Sequence, residues 1–210
     1  MSILLDSASV ADARAALSLG FIAGITTNPN LMAQVEGRPE DIIAQLADLC
    51  PGPVYYQLNA PTLAEREREA RQFVALRPNV GLKIPMTFDN LELAARLTRE
   101  GIKVGMTASY SAAQTLLTAA ANIHYSIAYV NRSTRLQGDG LMLVKSMRAV
   151  IDATDTATTL LVASLKTPAE VVAALTAGAH DLTLPLALLR EMGDHPLSEA
   201  TIAEFGRVGD

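Results

Sequence analysis

Tryptophan is absent from this chain of 210 residues, and cysteine occurs once, at Cys50. A single thiol excludes a disulfide framework, and three scattered histidines with it leave no ligand-rich metal cluster. Aromatic residues make up only 4% of a sequence that is 50% apolar, so the core must be built from Ala, Leu, Val and Ile. There is no block of Lys or Arg, and the formal net charge is -5, which argues against a basic nucleic-acid face. No run reaches the ~20 apolar residues of a membrane span. The opening MSILLDSAS has neither the basic segment nor the apolar stretch of a secretory signal, so a cytoplasmic location is expected. Charged residues, at 19%, are below the usual share. A small charged surface fits a chain that hides part of itself against its own copies, and equally one of short, tightly packed helices. Cys50, just before Pro51-Gly52-Pro53, reads as a small hydrophobe.

What is present is an alternation. Short apolar runs at 3–6, 21–25, 54–58, 80–84, 102–107, 123–130, 158–164 and 181–185 read as strands. Amphipathic stretches between them read as helices, several opened by proline (Pro39, Pro168) and closed by glycine (Gly20, Gly101, Gly178). The strands are almost continuously apolar, as strands covered on both faces must be. Eight strand–helix units predict a (β/α)8 TIM barrel, one domain over residues 1–210, with a last helix at about 198–207. An open doubly wound sheet is the alternative. No Gly-x-Gly-x-x-Gly follows an early strand, which weakens a dinucleotide-binding version of it.

In such a barrel, function gathers at the C-terminal ends of the strands. Polar residues gather there in this sequence: Asp6, Thr26, Thr27, Asn28, Gln57, Lys83, Thr107, Ser109, Tyr129, Arg132, Ser164 and Thr183. Many have a plain structural use as helix caps or turn formers. Lys83 is harder to place that way, because VGLKIP sets it inside an apolar strand. Desolvation favours the neutral form of a buried lysine, and a neutral amine can attack a carbonyl to form a Schiff base. Lys103, Lys145 and Lys166 are competing amines; Lys166, after the seventh strand, could help hold an anion. Arg132 and Ser164 end strands six and seven, near the usual phosphate region of this fold, and a guanidinium with a hydroxyl suits a phosphate monoester. Arg132 and Arg135 are expected to flank a polar loop. Asp6 is the only acidic residue at these strand ends, so a metal-dependent isomerase is disfavoured and no metal or cofactor is expected.

GITTNPNLM at 24–32, LKIPMT at 82–87, GMTASYSAAQ at 105–114, YVNR at 129–132, VASLKTP at 162–168 and LTLPLALL at 182–189 together resemble the transaldolase family, most nearly its small fructose-6-phosphate aldolase subfamily. The resemblance implies a class I aldolase without cofactor, with Lys83 forming the imine. It implies that Asp6, Thr26 and Asn28 bind donor hydroxyls and that Gln57, Thr107 and Tyr129 position a proton-carrying water. Arg132 and Ser164 would hold the acceptor phosphate, with Ser109 counted among the binding residues. The implied reaction is reversible cleavage of fructose 6-phosphate to dihydroxyacetone and glyceraldehyde 3-phosphate. Transfer of the dihydroxyacetone unit between sugar phosphates is the alternative, and a barrel retained only for binding is a third reading. Gln57 where transaldolases typically have Glu, and Tyr129 where they typically have Phe, favour the aldolase. Asn30, Met32 and the absence of proline before Tyr129 depart from the usual pattern. The family's rings, pentamers or pairs of them, imply a homo-oligomer in which the last helix reaches a neighbour.

Overall fold

The computed structural model describes residues 1–207; residues 208–210, the end of the expected domain, lie outside the described residues. Eight parallel strands close into a barrel in sequence order: β1 (Ile3–Asp6), β2 (Ile22–Thr26), β3 (Val54–Gln57), β4 (Val80–Pro85), β5 (Val104–Ser109), β6 (Tyr125–Tyr129), β7 (Thr159–Ala163) and β8 (Asp181–Leu184). The helices between them are α1 (Val10–Leu17), α2 (Pro29–Met32), α3 (Pro39–Leu49), α4 (Leu63–Val74), α5 (Phe88–Arg99), α6 (Ala112–Ala120), α7 (Val130–Gln137), α8 (Gly140–Asp152) and α9 (Pro168–Thr176). After β8 come α10 (Leu186–Gly193) and α11 (Pro196–Arg207). The barrel was the expected architecture, and the open sheet is excluded by the β1–β8 pairing.

Local chemistry sets the helix starts. Ser9, Thr62, Thr87, Ser111 and Thr167 each accept a hydrogen bond from the N–H three residues on, so each loop after a strand ends where a hydroxyl can satisfy an orphan donor. Two helices were not anticipated. α2 starts at an Asn-Pro pair, with Asn28 as cap and proline at the first helical position. The expected polar loop around Arg132 and Arg135 is instead α7. Its polarity reflects exposure of one face, while Val130 and Ser133 turn inward.

The apolar faces of strands and helices meet in a mantle of aliphatic side chains. Inside the barrel a second cluster of Leu4, Tyr55, Tyr125, Ile127 and Leu161 fills the lower half. Glycines make room for it. A Cβ on Gly81 would stand 2.8 Å from the Tyr55 ring, and one on Gly105 would stand 2.8 Å from Ile127 Cδ1. At the lower end the Tyr125 hydroxyl donates to Asp181 at 2.8 Å. One element has no packing of its own: every residue of α11 is exposed, with Leu197, Ile202 and Phe205 at about 70%.

Candidate active site

Side chains alternate along a strand, so the residue two places above an inward one also points inward. Above Gly81 stands Lys83, in register with Gln57 on β3 and Gly105 on β5. Its side chain is 2% exposed, and Nζ donates to the backbone carbonyl of Thr27 at 2.9 Å. The amine is therefore tethered to a neutral acceptor rather than to a carboxylate. Above it opens a cavity of about 420 Å³ at the C-terminal ends of the strands.

Asp6, Asn28, Gln57, Tyr129, Arg132 and Ser164 all line that cavity with Lys83. Thr26 and Thr107 stand behind it. Thr26 Oγ1 donates to Asp6 Oδ1 at 2.7 Å, and Thr107 Oγ1 lies 2.6 Å from the Tyr129 hydroxyl. Asn28 has two uses, since its Oδ1 also caps α2 by accepting from Leu31 N–H at 3.1 Å. Gln57 Oε1 is buried and has no hydrogen-bond partner among the described residues, so it is able to accept from a bound group. The Arg132 guanidinium lies over the Tyr129 ring, 4.9 Å from its centre.

Ser109 does not join them. Period-two alternation would carry it inward with Thr107, but the register of β5 against β6 shifts between Met106 and Ser109. Ala108 there adopts a left-handed φ of 57°. The irregularity re-aims the strand end. Ser109 is fully buried, and its Oγ makes only a long contact, 3.4 Å, to the Met106 carbonyl.

Four further polar residues line the cavity: Asn30, Gln34, Lys166 and Thr183. Asn30 arrives on α2 and Gln34 on the turn just after it; α2 has too few turns to show helical periodicity in sequence, and only the Asn-Pro start signals it. Lys166 was legible as an anion-holding amine. Thr183 was visible as a polar interruption of β8 but carried no role. Ser164 is held with φ of 59°, and its carbonyl accepts from Asn131 N–H at 2.9 Å. Glu170 clamps the same rim, accepting from Asn131 Nδ2 at 3.0 Å and from Lys166 N–H at 2.7 Å.

The chain is acidic overall, yet this cavity carries two basic side chains, Arg132 and Lys166, beside the Lys83 amine, and one acidic one, Asp6. Such a site attracts an anion. Among the described residues no group of three or more His, Cys, Asp or Glu is arranged to hold a metal ion. Among them, too, no helix is long and apolar enough to cross a membrane.

A family model described as "Transaldolase/Fructose-6-phosphate aldolase" matches residues 3–208. The chain is 33% identical over 205 residues to a protein named "Probable transaldolase" from Anaeromyxobacter sp. (strain Fw109-5), covering 98% of this chain and 95% of that one. It is 34% identical over 206 residues to another of the same name from Symbiobacterium thermophilum, with the same coverage. A solved structure described as a "putative deoxyribose-phosphate aldolase" from Coccidioides immitis superposes with a TM-score of 0.63 at 14% identity, over 88% of this chain and 81% of that one. That likeness is one of fold.

Proposed function

The chain belongs to the transaldolase/fructose-6-phosphate aldolase family, enzymes of aldolase type, and on that premise we propose that it is a class I aldolase cleaving fructose 6-phosphate reversibly to dihydroxyacetone and D-glyceraldehyde 3-phosphate. The observation that carries the reading is Lys83, buried at the base of a cavity that also holds Arg132 and Lys166, its amine donating to a backbone carbonyl.

The Lys83 amine attacks the ketone carbon of the sugar phosphate, and loss of one water gives an iminium. The iminium accepts the electron pair of the C3–C4 bond as the C4 hydroxyl gives up its proton. Glyceraldehyde 3-phosphate departs and an enamine remains on Lys83. Protonation at C3 restores the iminium, and one water releases dihydroxyacetone. Tyr129, paired with Thr107, moves the C4 proton by way of a water that Gln57 Oε1 accepts from. Asp6 and Asn28 hold the donor hydroxyls in register. Arg132, Ser164 and Lys166 bind the phosphate.

The names of the relatives favour a second reading, transfer of the dihydroxyacetone unit to an aldose phosphate. Incubation with fructose 6-phosphate alone, and then with erythrose 4-phosphate added, separates the two by their products. Borohydride reduction during turnover should attach the three-carbon unit to the peptide containing Lys83, and Lys83→Met should abolish it. A label on another lysine, or none, removes the Schiff-base assignment.

We also propose that the protein works as a closed homo-oligomer in the cytoplasm. A 12-residue helix with no packing is marginal in water, and α11 has an apolar seam in Leu197, Ile202 and Phe205 for a second copy to cover.

A further inference from the structure

Thr183 has no role in the reading above, yet it is held in a fixed polarity. Its side chain is 1% exposed and lines the cavity with Lys83. Its Oγ1 lies 2.6 Å from Thr26 Oγ1, close enough for a hydrogen bond in either direction. Thr26 Oγ1 donates to Asp6 Oδ1. A threonine hydroxyl has one hydrogen, and that of Thr26 is committed to Asp6. The hydrogen between the two hydroxyls must therefore come from Thr183.

The strand order makes this arrangement. β8, β1 and β2 are neighbours, Leu4 pairs with Thr183, and Asp6 pairs with Thr26. Thr183, Thr26 and Asp6 thus form a directed chain over the apolar plug that contains Leu4. With its only hydrogen engaged, Thr183 offers the cavity lone pairs and no donor. A ligand group meeting it must bring the hydrogen.

We propose that Thr183 is a donor-side specificity residue, accepting a hydrogen bond from a hydroxyl of the three-carbon unit held on Lys83 and rejecting groups that can only accept. The hydroxyketone is selected partly by a hydroxyl whose direction Asp6 sets from two residues away. This inference rests on the Schiff-base reading, and the experiment separates the two.

Wild type, Thr183→Val and Thr183→Ser are titrated with dihydroxyacetone, and the adduct trapped on the Lys83 peptide by borohydride is measured. The Michaelis constant for glyceraldehyde 3-phosphate is measured alongside in the synthetic direction. Valine keeps the shape and removes the hydroxyl; serine keeps the hydroxyl. The half-saturating dihydroxyacetone concentration should rise roughly fivefold in Thr183→Val and stay near wild type in Thr183→Ser. The constant for glyceraldehyde 3-phosphate should hold in both. Unchanged dihydroxyacetone binding in Thr183→Val overturns the proposal. So does an equal shift for both substrates, which would mean that Thr183 only packs. If Thr183→Val gives no cooperative melt, Thr183→Ala is compared with Thr183→Ser by the same criterion. Absence of any Lys83 adduct in wild type defeats the Schiff-base reading itself.

Discussion

Replacing Tyr129 with phenylalanine removes one oxygen and leaves the ring contacts in place. Arg132 still lies over the ring, and Tyr110 still meets it edge-on at 6.4 Å. What is lost is the 2.6 Å hydroxyl pair with Thr107, and the loss has two separable effects. Thr107 is fully buried, so its hydroxyl is left unsatisfied at a cost of about 1–3 kcal/mol. That cost is common to free and liganded enzyme. It appears in the thermal midpoint, as a fall of roughly 2–12 °C for a chain of this size, and largely cancels from turnover. The second effect is chemical. If Tyr129 carries the C4 proton, its removal should slow cleavage of fructose 6-phosphate by about 10²-fold or more, equivalent to about 2.7 kcal/mol in the barrier. Imine formation needs only Lys83 and the ketone, so borohydride trapping should survive. Transfer to erythrose 4-phosphate needs the same C3–C4 cleavage but skips protonation of the enamine at C3 by the same relay. It should therefore fall less than cleavage, and least when Gln57→Glu supplies a carboxylate to take the C4 proton. The assay is the ratio of cleavage to transfer, read from free dihydroxyacetone, which only cleavage releases, and from sedoheptulose phosphate, which only transfer forms. A wild type that transfers much faster than it cleaves, with a ratio unmoved by Tyr129→Phe, would refute the aldolase reasoning and leave the transferase. Trapping that falls in parallel with cleavage would show that the hydroxyl shapes the pocket instead of moving a proton.

Arg132→Ala should raise the Michaelis constant for phosphorylated aldehydes by about tenfold or more, the scale of a lost charge-assisted hydrogen bond, while the dihydroxyacetone imine still forms; equal effects on phosphorylated and unphosphorylated aldehydes would take Arg132 out of phosphate binding. Deleting residues 198–210, or introducing Ile202→Glu with Phe205→Glu, should lower the mass seen by light scattering before it lowers activity, and a monomeric wild type at micromolar concentration would end the oligomer proposal. Acid should destabilise the fold through His180. Burial, with Arg148 nearby, holds its pKa below the usual value, and its Nδ1 accepts from Leu160 N–H at 3.0 Å, a bond that the cation cannot keep. The unfolded chain takes the proton first, so this contribution is complete above about pH 6.5 and declines as pH falls toward the lowered value. Melts between about pH 7.5 and about pH 5 should slope less in His180→Asn, which can retain the acceptor; identical slopes exclude His180.

The barrel was legible because its signal is repeated. Eight apolar runs, each followed by a helical stretch, survive an error in any one of them. Lys83 was legible because a charge inside an apolar strand is costly and so calls for a use. The features that escaped depend on geometry that spacing does not encode. Ser109 obeys the alternation on paper, and a shift of register at Ala108 takes it out of the cavity. α7 is polar because one side faces water, which in sequence looks the same as a loop. The Thr26–Thr183 contact joins residues 157 apart, brought together only when the barrel closes.

Closure has a last consequence, for the order of events. The lower half of the barrel is filled by Leu4, Tyr55, Tyr125, Ile127 and Leu161, so among the described residues the chamber over Lys83 is closed from below. Molecules in a narrow well form a queue in which the last to enter is the first to leave. On the proposed aldolase reading, the phosphorylated aldehyde should depart before the piece tethered on Lys83 is released. During synthesis the tethered piece must load first, and an aldehyde that arrives early blocks it. The kinetics should therefore be ordered, with substrate inhibition by the aldehyde that dihydroxyacetone relieves. The sequence of steps is thus imposed by where the apolar filling stops.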